Sequence, residues 1–151
     1  MPETHIGRIG SPPPQNFAPT LHPEWFEGKS EQRLARVLGV TQFGVNHLTL
    51  QPGAYSALRH WHEQEDEFVF VIEGELVLID ENGEHPLTKG MYVAFPAGEA
   101  NAHHICNRSA SPASFLAIGT RHRGVENIHY PDEGLEFEVS VRRDGNGDRL
   151  P

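Results

Sequence analysis

The chain contains 151 residues, which is the length of one ordinary domain. Its 21 acidic and 12 basic residues give a formal net charge of −9, and such a charge disfavours binding to nucleic acids. A single cysteine excludes an internal disulfide framework, so we expect a reducing, cytoplasmic location. No apolar run is long enough to predict a membrane-spanning helix, and the first residues do not resemble a signal peptide.

Residues 1–30 are predicted to form an extended, irregular arm, because proline fixes φ and removes a backbone donor. The six prolines of this arm are Pro2, Pro12, Pro13, Pro14, Pro19 and Pro23. Four large apolar residues accompany them: Phe17, Leu21, Trp25 and Phe26. A free tail would expose these side chains, so we expect part of the arm to pack on the body of the chain or on a partner subunit. Ser30 is suited to cap a short helical turn over residues 30–36.

Residues 31–141 are predicted to form a β-rich domain, which is followed by a tail over residues 142–151. The predicted strands cover residues 45–50, 57–62, 67–73, 75–80, 91–95, 102–107, 113–120 and 135–141. Turn signals such as Asn82-Gly83 separate them. Many short strands without helical crossovers favour a closed barrel or a two-sheet jelly roll, so the predicted fold class is all-β.

The segment from Glu67 to Glu73 is a nearly continuous apolar run. Such a run is typical of a strand that is covered on both faces. We therefore expect Phe70 and Ile72 to line the interior of the barrel, together with Phe95 from a later strand.

A possible metal site begins at His60-Trp61-His62, because residues i and i+2 of a strand share one face. Glu67 begins the next predicted strand, so a hairpin would return its carboxylate beside the two imidazoles. His103 or His104 could supply a fourth ligand. Three imidazoles and one carboxylate suit one divalent first-row metal ion: iron, manganese, nickel, copper, zinc or cobalt. Four protein ligands on an octahedral ion would leave two positions open for a substrate or dioxygen.

Each of these features also has an interpretation without metal chemistry. The chain has ten histidines, so a His-x-His pair can arise by chance on an exposed strand. The acidic loop over residues 63–66 is typical of a solvated surface. Arg59 favours a surface salt bridge, with a clamp for an anionic substrate as the alternative. The run Arg121-His122-Arg123 favours a charged turn, with a basic rim for an acidic substrate as the alternative.

Two longer patterns in this region resemble the two motifs of the cupin superfamily. The first is Gly53-x6-His60-x-His62-x4-Glu67-x6-Gly74, and the second is Gly90-x5-Pro96-x-Gly98-x4-His103-x3-Asn107. The resemblance covers residues 45–120 and is strongest to small single-domain bacterial cupins of the sugar-phosphate isomerase-like type. It implies a double-stranded β-helix, which is a jelly-roll barrel, with the irregular proline-rich arm preceding it. In cupins the motif histidines and glutamate bind a metal, so the resemblance implies the ligands His60, His62, Glu67 and His103.

The spacing departs from the usual cupin motifs at two places. Six residues, rather than five, separate Gly53 from the first motif histidine. Four residues, rather than two, separate Gly98 from His103. Only His103 keeps the family's three-residue spacing to Asn107, so we expect His103 to face the site and His104 to face the opposite side of the strand.

The resemblance implies an enzyme that acts on a small polar molecule, such as a sugar, keto acid or hydroxy acid, by Lewis-acid metal catalysis. Isomerase, lyase and dioxygenase chemistry all suit this scaffold, and Glu67 could act as a ligand or as a catalytic base. A non-catalytic binding or sensory cupin is one alternative, and a metal-independent, epimerase-like cupin is another. No membrane or nucleic-acid partner is expected.

Because cupins are commonly dimeric, we also expect a homodimer in which the apolar arm packs on a second subunit. Removal of residues 1–28 is then expected to yield a monomer or an aggregate, which light scattering would detect. An unchanged soluble dimer after this truncation would refute the arm's role in assembly.

Overall fold

The computed structural model describes residues 1–122 and 124–140. Its strands are β1 (Lys29–Arg33), β2 (Phe43–Leu50), β3 (Trp61–His62), β4 (Glu67–Glu73), β5 (Glu75–Asp80), β6 (Gly83–Thr88), β7 (Tyr92–Phe95), β8 (His104–Cys106), β9 (Ala113–Thr120), β10 (Val125–Tyr130) and β11 (Leu135–Ser140). One α-helical turn, α1, spans Leu34–Val37, and 3₁₀ turns span Pro23–Phe26 and Pro131–Glu133. No helix within residues 1–122 and 124–140 is long and apolar enough to cross a membrane. Outside the described residues lie Arg123, Val141 and the predicted tail over residues 142–151.

The described residues form three antiparallel sheets. The largest has the strand order β1-β2-β9-β4-β7, and the two smaller ones have the orders β6-β5-β8 and β11-β10-β3. A shared core lies between the large sheet and β5, β6 and β8. Its buried side chains include Leu48, Leu50, Val71, Leu76, Leu78, Leu87, Phe95, Ile105 and Phe115. The predicted all-β, jelly-roll class is confirmed.

The apolar run of β4 is covered on one face only. Val69 and Val71 are buried in the core, whereas Phe70 between them is 38% exposed. Side chains alternate across a strand, and nothing in the described chain covers the second face fully at this position. The prediction that Phe70 lines the interior is therefore wrong, whereas Phe95 is buried in the core as predicted.

The prediction of a helical turn over residues 30–36 is wrong for most of that segment. Residues 29–33 form β1, and Ser30 pairs with Thr49 of β2 instead of capping a helix. Only Leu34–Val37 is helical. Backbone pairing with β2, together with the two hydrogen bonds between Glu31 and Gln15, satisfies more donors and acceptors of this segment than a local cap would. β1 thus runs across residue 30, where the sequence suggested that the arm ends.

Part of the arm packs on the body of the chain, as predicted. Phe26 is 1% exposed, and the Trp25 ring stacks on Tyr55 with 4.8 Å between ring centroids. Gln15 exchanges two backbone hydrogen bonds with Glu31 of β1, at 2.7 and 2.9 Å. The arm is therefore tied to the edge of the large sheet through both its backbone and its aromatic side chains.

Sequence patterns missed β10 and placed β3 too early. Of the strand predicted over residues 57–62, only Trp61–His62 is a strand in the structure. His62 pairs with Ile128 of β10, and Trp61 pairs with His129. β10 did not stand out because the polar or charged residues Glu126, Asn127 and His129 interrupt its apolar pattern. The buried Glu126 side chain belongs to the site described next.

Candidate metal centre

Three chain segments bring the predicted ligands together. His62 lies on β3, and His60 just before it forms an antiparallel bridge with His103, at N–O distances of 3.0 and 3.2 Å. Glu67 begins β4, where it pairs with Phe95 on one side and Gly119 on the other. The side chains of all four predicted ligands consequently face one another.

The Glu67 carboxylate is the centre of this cluster. Its Oε1 lies 2.5 Å from His62 Nε2 and 3.3 Å from His60 Nε2, and its Oε2 lies 2.5 Å from His103 Nε2. Ligand atoms of His60, His62 and Glu67 all lie within 4.8 Å of one another, so these three side chains could hold one metal ion. His103 is joined to the group through the second carboxylate oxygen.

His104 lies on the other side of its strand. Its Nδ1 is 2.9 Å from the carbonyl oxygen of Ala57, and its ring packs 5.0 Å from that of Tyr55. The structure therefore brings His103, and not His104, against Glu67. The His103 ring also stacks on Phe95, with 3.4 Å between ring centroids, which holds the imidazole in place.

The same ring nitrogen of each histidine is directed at Glu67. His60 Nδ1 lies 2.7 Å from Leu58 O, and His103 Nδ1 lies 2.8 Å from Asn101 O. A carbonyl oxygen can only accept a hydrogen bond, so both Nδ1 atoms carry the proton. In the neutral imidazoles the Nε2 lone pairs then point into the cluster, as metal coordination requires.

The cluster shifts the pKa values of its members in opposite directions. Burial disfavours charged Glu67, but the surrounding imidazoles outweigh it and hold the pKa of the carboxyl well below its usual range. Burial also disfavours charged His60, but the Glu67 carboxylate outweighs it and raises the pKa of the imidazole. Without a metal the carboxylate thus favours protonated imidazoles, and a bound cation would take the place of their Nε2 protons.

Glu126 is a member of the site that sequence patterns did not identify. Its side chain is fully buried, its Oε1 lies 3.2 Å from His62 Nδ1, and it accepts a hydrogen bond from the Gln64 backbone N–H. A carboxylate in this position orients the imidazole and makes its Nε2 a stronger ligand. Ligand atoms of His62, Glu65 and Glu126 also lie within 4.8 Å of one another, which makes a second possible ion position.

Tyr130, also from β10, lies beside the cluster. Its ring is 5.6 Å from that of His60, and burial together with the nearby Glu67 carboxylate raises the pKa of its hydroxyl. The alternation of Glu126, Ile128 and Tyr130 is the signal that could have revealed this face of β10.

The cluster lines a cavity of about 390 Å³ that is partly open to solvent. Its walls include His60, Glu67 and His103, together with side chains from β1 and β2. Apolar side chains such as Phe115 also line it. A cavity of this volume is large enough to enclose a small organic molecule.

Arg59 lies outside this cavity, in the surface ion pair that its sequence context favours. Its guanidinium makes two hydrogen bonds to Asp132, at 2.7 and 2.8 Å, and one to Glu81 at 2.8 Å. It also donates to the carbonyl of Ala102 at 3.1 Å. Arg59 therefore links the loop before β3 to the 3₁₀ turn after β10, and does not clamp a substrate.

Replacing Arg59 by Gln is expected to destabilise the protein by about 1 kcal/mol at pH 7. The Arg59 guanidinium lowers the pKa of the Asp132 carboxyl, so this contribution is present above the carboxyl's ordinary pKa and is lost as pH falls through its folded value. We measure the free energy of unfolding in urea at pH 7 and at pH 3. The difference in this free energy between variant and wild type should be smaller at pH 3. An equal difference at both pH values would contradict the ion-pair origin.

Comparison with known proteins assigns the fold to a family. The segment from residue 46 to residue 119 matches the family model for a cupin domain. A solved sugar phosphate isomerase of the cupin superfamily from Silicibacter pomeroyi is 40% identical, with a TM-score of 0.77, and the match covers 91% of this chain and 89% of that one. This chain is a member of the cupin superfamily.

Other solved structures share the cupin fold. A protein from Acidithiobacillus ferrooxidans with a provisional sugar phosphate isomerase assignment is 28% identical, with a TM-score of 0.69, over 80% of this chain and 72% of that one. A cupin 2 conserved barrel domain protein from Salinispora arenicola is 17% identical, with a TM-score of 0.60, over 80% of this chain and 91% of that one. The latter shows similarity of fold alone. Comparison with curated proteins finds no match.

Proposed function

We propose that this cupin is a metal-dependent isomerase of a small sugar phosphate. The observation that carries the proposal is the convergence of three imidazole Nε2 atoms on the Glu67 carboxylate, beside a cavity that His60, Glu67 and His103 line. The name of the 40% identical relative from Silicibacter pomeroyi supports the choice of isomerisation and of a sugar phosphate.

His60, His62, Glu67 and His103 are the residues that would hold the ion. Their donor set of imidazole nitrogens and one carboxylate suits iron, manganese, nickel, copper, zinc or cobalt, and the carbonyl partners of His60 and His103 keep both Nε2 atoms available. A divalent ion bound there supplies Lewis-acid polarisation of a substrate carbonyl or hydroxyl. The cavity walls would hold the rest of the substrate away from bulk water.

Isomerisation moves a proton between neighbouring carbons, so the site also needs a group that accepts and returns that proton. Glu67 was predicted as this base, but its lowered pKa makes the carboxylate a weak one while the imidazoles contact it. We therefore assign Glu67 first to holding the ion. Its action as a base remains a prediction.

The proposal is tested by removing bound metal with a chelator and restoring single metals in turn. The expected result is interconversion of an aldose phosphate and its ketose phosphate, followed by NMR, in the reloaded protein only. Full turnover after metal removal would instead indicate the epimerase-like alternative. Substrate-dependent oxygen consumption would indicate a dioxygenase, and saturable binding without turnover would indicate a binding or sensory cupin.

The homodimer expected from the sequence is a separate proposal. Light scattering of the full chain gives its mass in solution and checks it directly. The docked arm supports a structural role for residues 1–28 within one chain, because Trp25 and Phe26 contact the chain's own body.

A further inference from the structure

The large sheet has a second face, here called the outer face, on the side away from the shared core. On β4, Val69 and Val71 lie in the core, so the alternation of side chains places Phe68 and Phe70 on the outer face. Apolar side chains that form one continuous exposed patch mark an interaction site, whereas single exposed ones do not. The neighbours of Phe68 and Phe70 therefore determine what this face can bind.

Strand register extends the apolar character of the outer face from β7 through β4 and β9 to β2. Two rows of cross-strand neighbours follow this path: Ala94, Phe68, Ile118 and Val45 in one row, and Tyr92, Phe70, Leu116 and His47 in the other. Seven of these eight side chains are apolar or aromatic, and none is an acid, a lysine or an arginine. Burial lowers the pKa of the His47 imidazole, so the eighth side chain is neutral at pH 7.

Three aromatic rings of the outer face are in contact with water. Tyr92 is 68% exposed, Phe43 is 44% exposed and Phe70 is 38% exposed. Phe43 lies on this face because it is two residues from Val45 along β2. A whole aromatic side chain presents about 200 Å², so the three rings together leave about 300 Å² of apolar surface exposed.

The area of the patch matches what a second copy of the chain would cover. A stable interface buries about 800 Å² on each partner, and about 450 Å² of this surface is apolar. The three exposed rings supply most of that apolar area. Half-buried side chains of the two rows supply more, among them Phe68, Val45, Leu116 and Ile118.

Charge also favours a second copy as the occupant of this face. The chain has a formal net charge of −9, so two copies repel each other except where neither presents charged groups. The two rows of the outer face are such a place. The end of the chain itself is a poorer occupant, because five of the eleven residues 141–151 are charged.

A groove on the outer face offers a binding place for a protruding ring. Its volume is about 400 Å³, and its apolar walls include Phe43, Phe68, Ala94 and Ile118. Tyr92 lies beside this groove, on the same strand as Ala94. In a two-fold symmetric dimer the ring of each copy could enter the groove of the other, since every contact occurs twice. Asp66 also lines the groove, so its carboxylate could accept a hydrogen bond from the tyrosine hydroxyl.

We propose that the outer face of the large sheet, centred on Phe70 and Tyr92, is the contact surface of a two-fold symmetric homodimer. This inference goes beyond the proposed function, because it assigns the dimer contact to the sheet and does not depend on a metal. The arm stays bound to its own chain, through Trp25 and Phe26. Glu67 lies on the opposite face of β4, so the contact leaves the ligand set unchanged.

Sedimentation equilibrium and light scattering of the full chain test the proposal. The wild type is expected to have the mass of two chains. Tyr92→Glu is expected to weaken the dimer at least about tenfold, because each copy would bury an unpaired carboxylate in the contact. Since Tyr92 is largely exposed in the single chain, the variant should stay folded, and circular dichroism with urea unfolding checks this.

Phe70→Glu is a second variant and is expected to weaken the dimer in the same way. If it does not fold, Tyr92→Glu decides alone. The control is Ala110→Glu, which adds the same charge at an exposed residue between β8 and β9 and should keep the wild-type mass.

Two results would overturn the proposal. One is a dimer that persists at wild-type affinity in the folded variants. The other is a monomeric wild type, which would leave the outer face to the chain's own last residues or to a different protein.

Metal content measured in the same samples separates this inference from the proposed function. If Tyr92→Glu is a folded monomer while the wild type is a dimer without metal, the interface stands and the metal-dependent function fails. If the wild type binds metal but the variants remain dimers, the interface fails and the metal-dependent function stands.

Discussion

Replacement of both His60 and His62 by alanine is expected to reduce bound metal from about one ion per chain to less than about a tenth of that. The two imidazoles supply two of the three ligand atoms that lie within 4.8 Å of one another. Of the four proposed ligands only Glu67 and His103 would remain, and two ligands bind a transition metal much more weakly than four. Plasma mass spectrometry of protein purified without a histidine tag measures the loss.

The matched control removes two imidazoles elsewhere, by His5→Ala together with His85→Ala. Both lie outside the cluster around Glu67, so this variant should keep the wild-type metal content. Wild-type stoichiometry in the His60 and His62 variant would show that the ligand assignment is wrong.

The single variants discriminate between the two possible ion positions. His62 belongs to both groups, whereas His60 belongs only to the group with Glu67. If the ion is bound beside Glu67, His60→Ala and His62→Ala should both lose metal. Loss in His62→Ala alone would place the ion between His62, Glu65 and Glu126 instead.

Replacement of Glu126 by Gln is expected to weaken metal binding about 10-fold to 100-fold, because the carboxylate orients His62 through its Nδ1. The glutamine side chain has nearly the same volume but lacks the charge. Only one of its two polar atoms, the amide oxygen, can accept hydrogen bonds. Since Glu126 is fully buried, the imperfect hydrogen bonding should also destabilise the fold by about 1–3 kcal/mol. Titration with Co²⁺, followed by visible absorption, measures the affinity, and urea unfolding measures the stability.

Glu99→Gln is the matched control, because Glu99 is exposed and the same charge is removed there. It should change neither the Co²⁺ affinity nor the stability measurably. Wild-type Co²⁺ affinity in Glu126→Gln would show that the buried carboxylate has no part in positioning His62. Loss of stability alone would assign Glu126 a purely structural role.

Local sequence patterns predicted most of the metal centre and much of the fold. The i, i+2 spacing of His60 and His62 placed both imidazoles on one face, and the short loop before Glu67 returned its carboxylate to them. The spacing to Asn107, taken from the cupin motif, selected His103 over His104. The structure brings these side chains together, because strand alternation and turn chemistry act over a few residues and are therefore visible in the sequence.

The missed features all depend on pairing between distant segments. Ser30 and its neighbours resemble a helix start, but β1 forms because the edge of β2 lies beside it. A charged residue such as Glu126 is expected at the surface. The pairing of β10 with β3 instead buries it against His62. The apolar run around Phe70 predicted that this side chain lies in the core, yet it is 38% exposed.

By itself, the amino-acid sequence determined the all-β class, the cupin family and the residues that could hold a metal, because these follow from local periodicity, turns and motif spacing. Only the tertiary structure decided which residues complete the site. It brought Glu126 to His62, and it placed side chains of β1 and β2 around the same cavity as Glu67. The physical reason is that sheet register joins segments far apart in the chain, so no local pattern specifies which face they share.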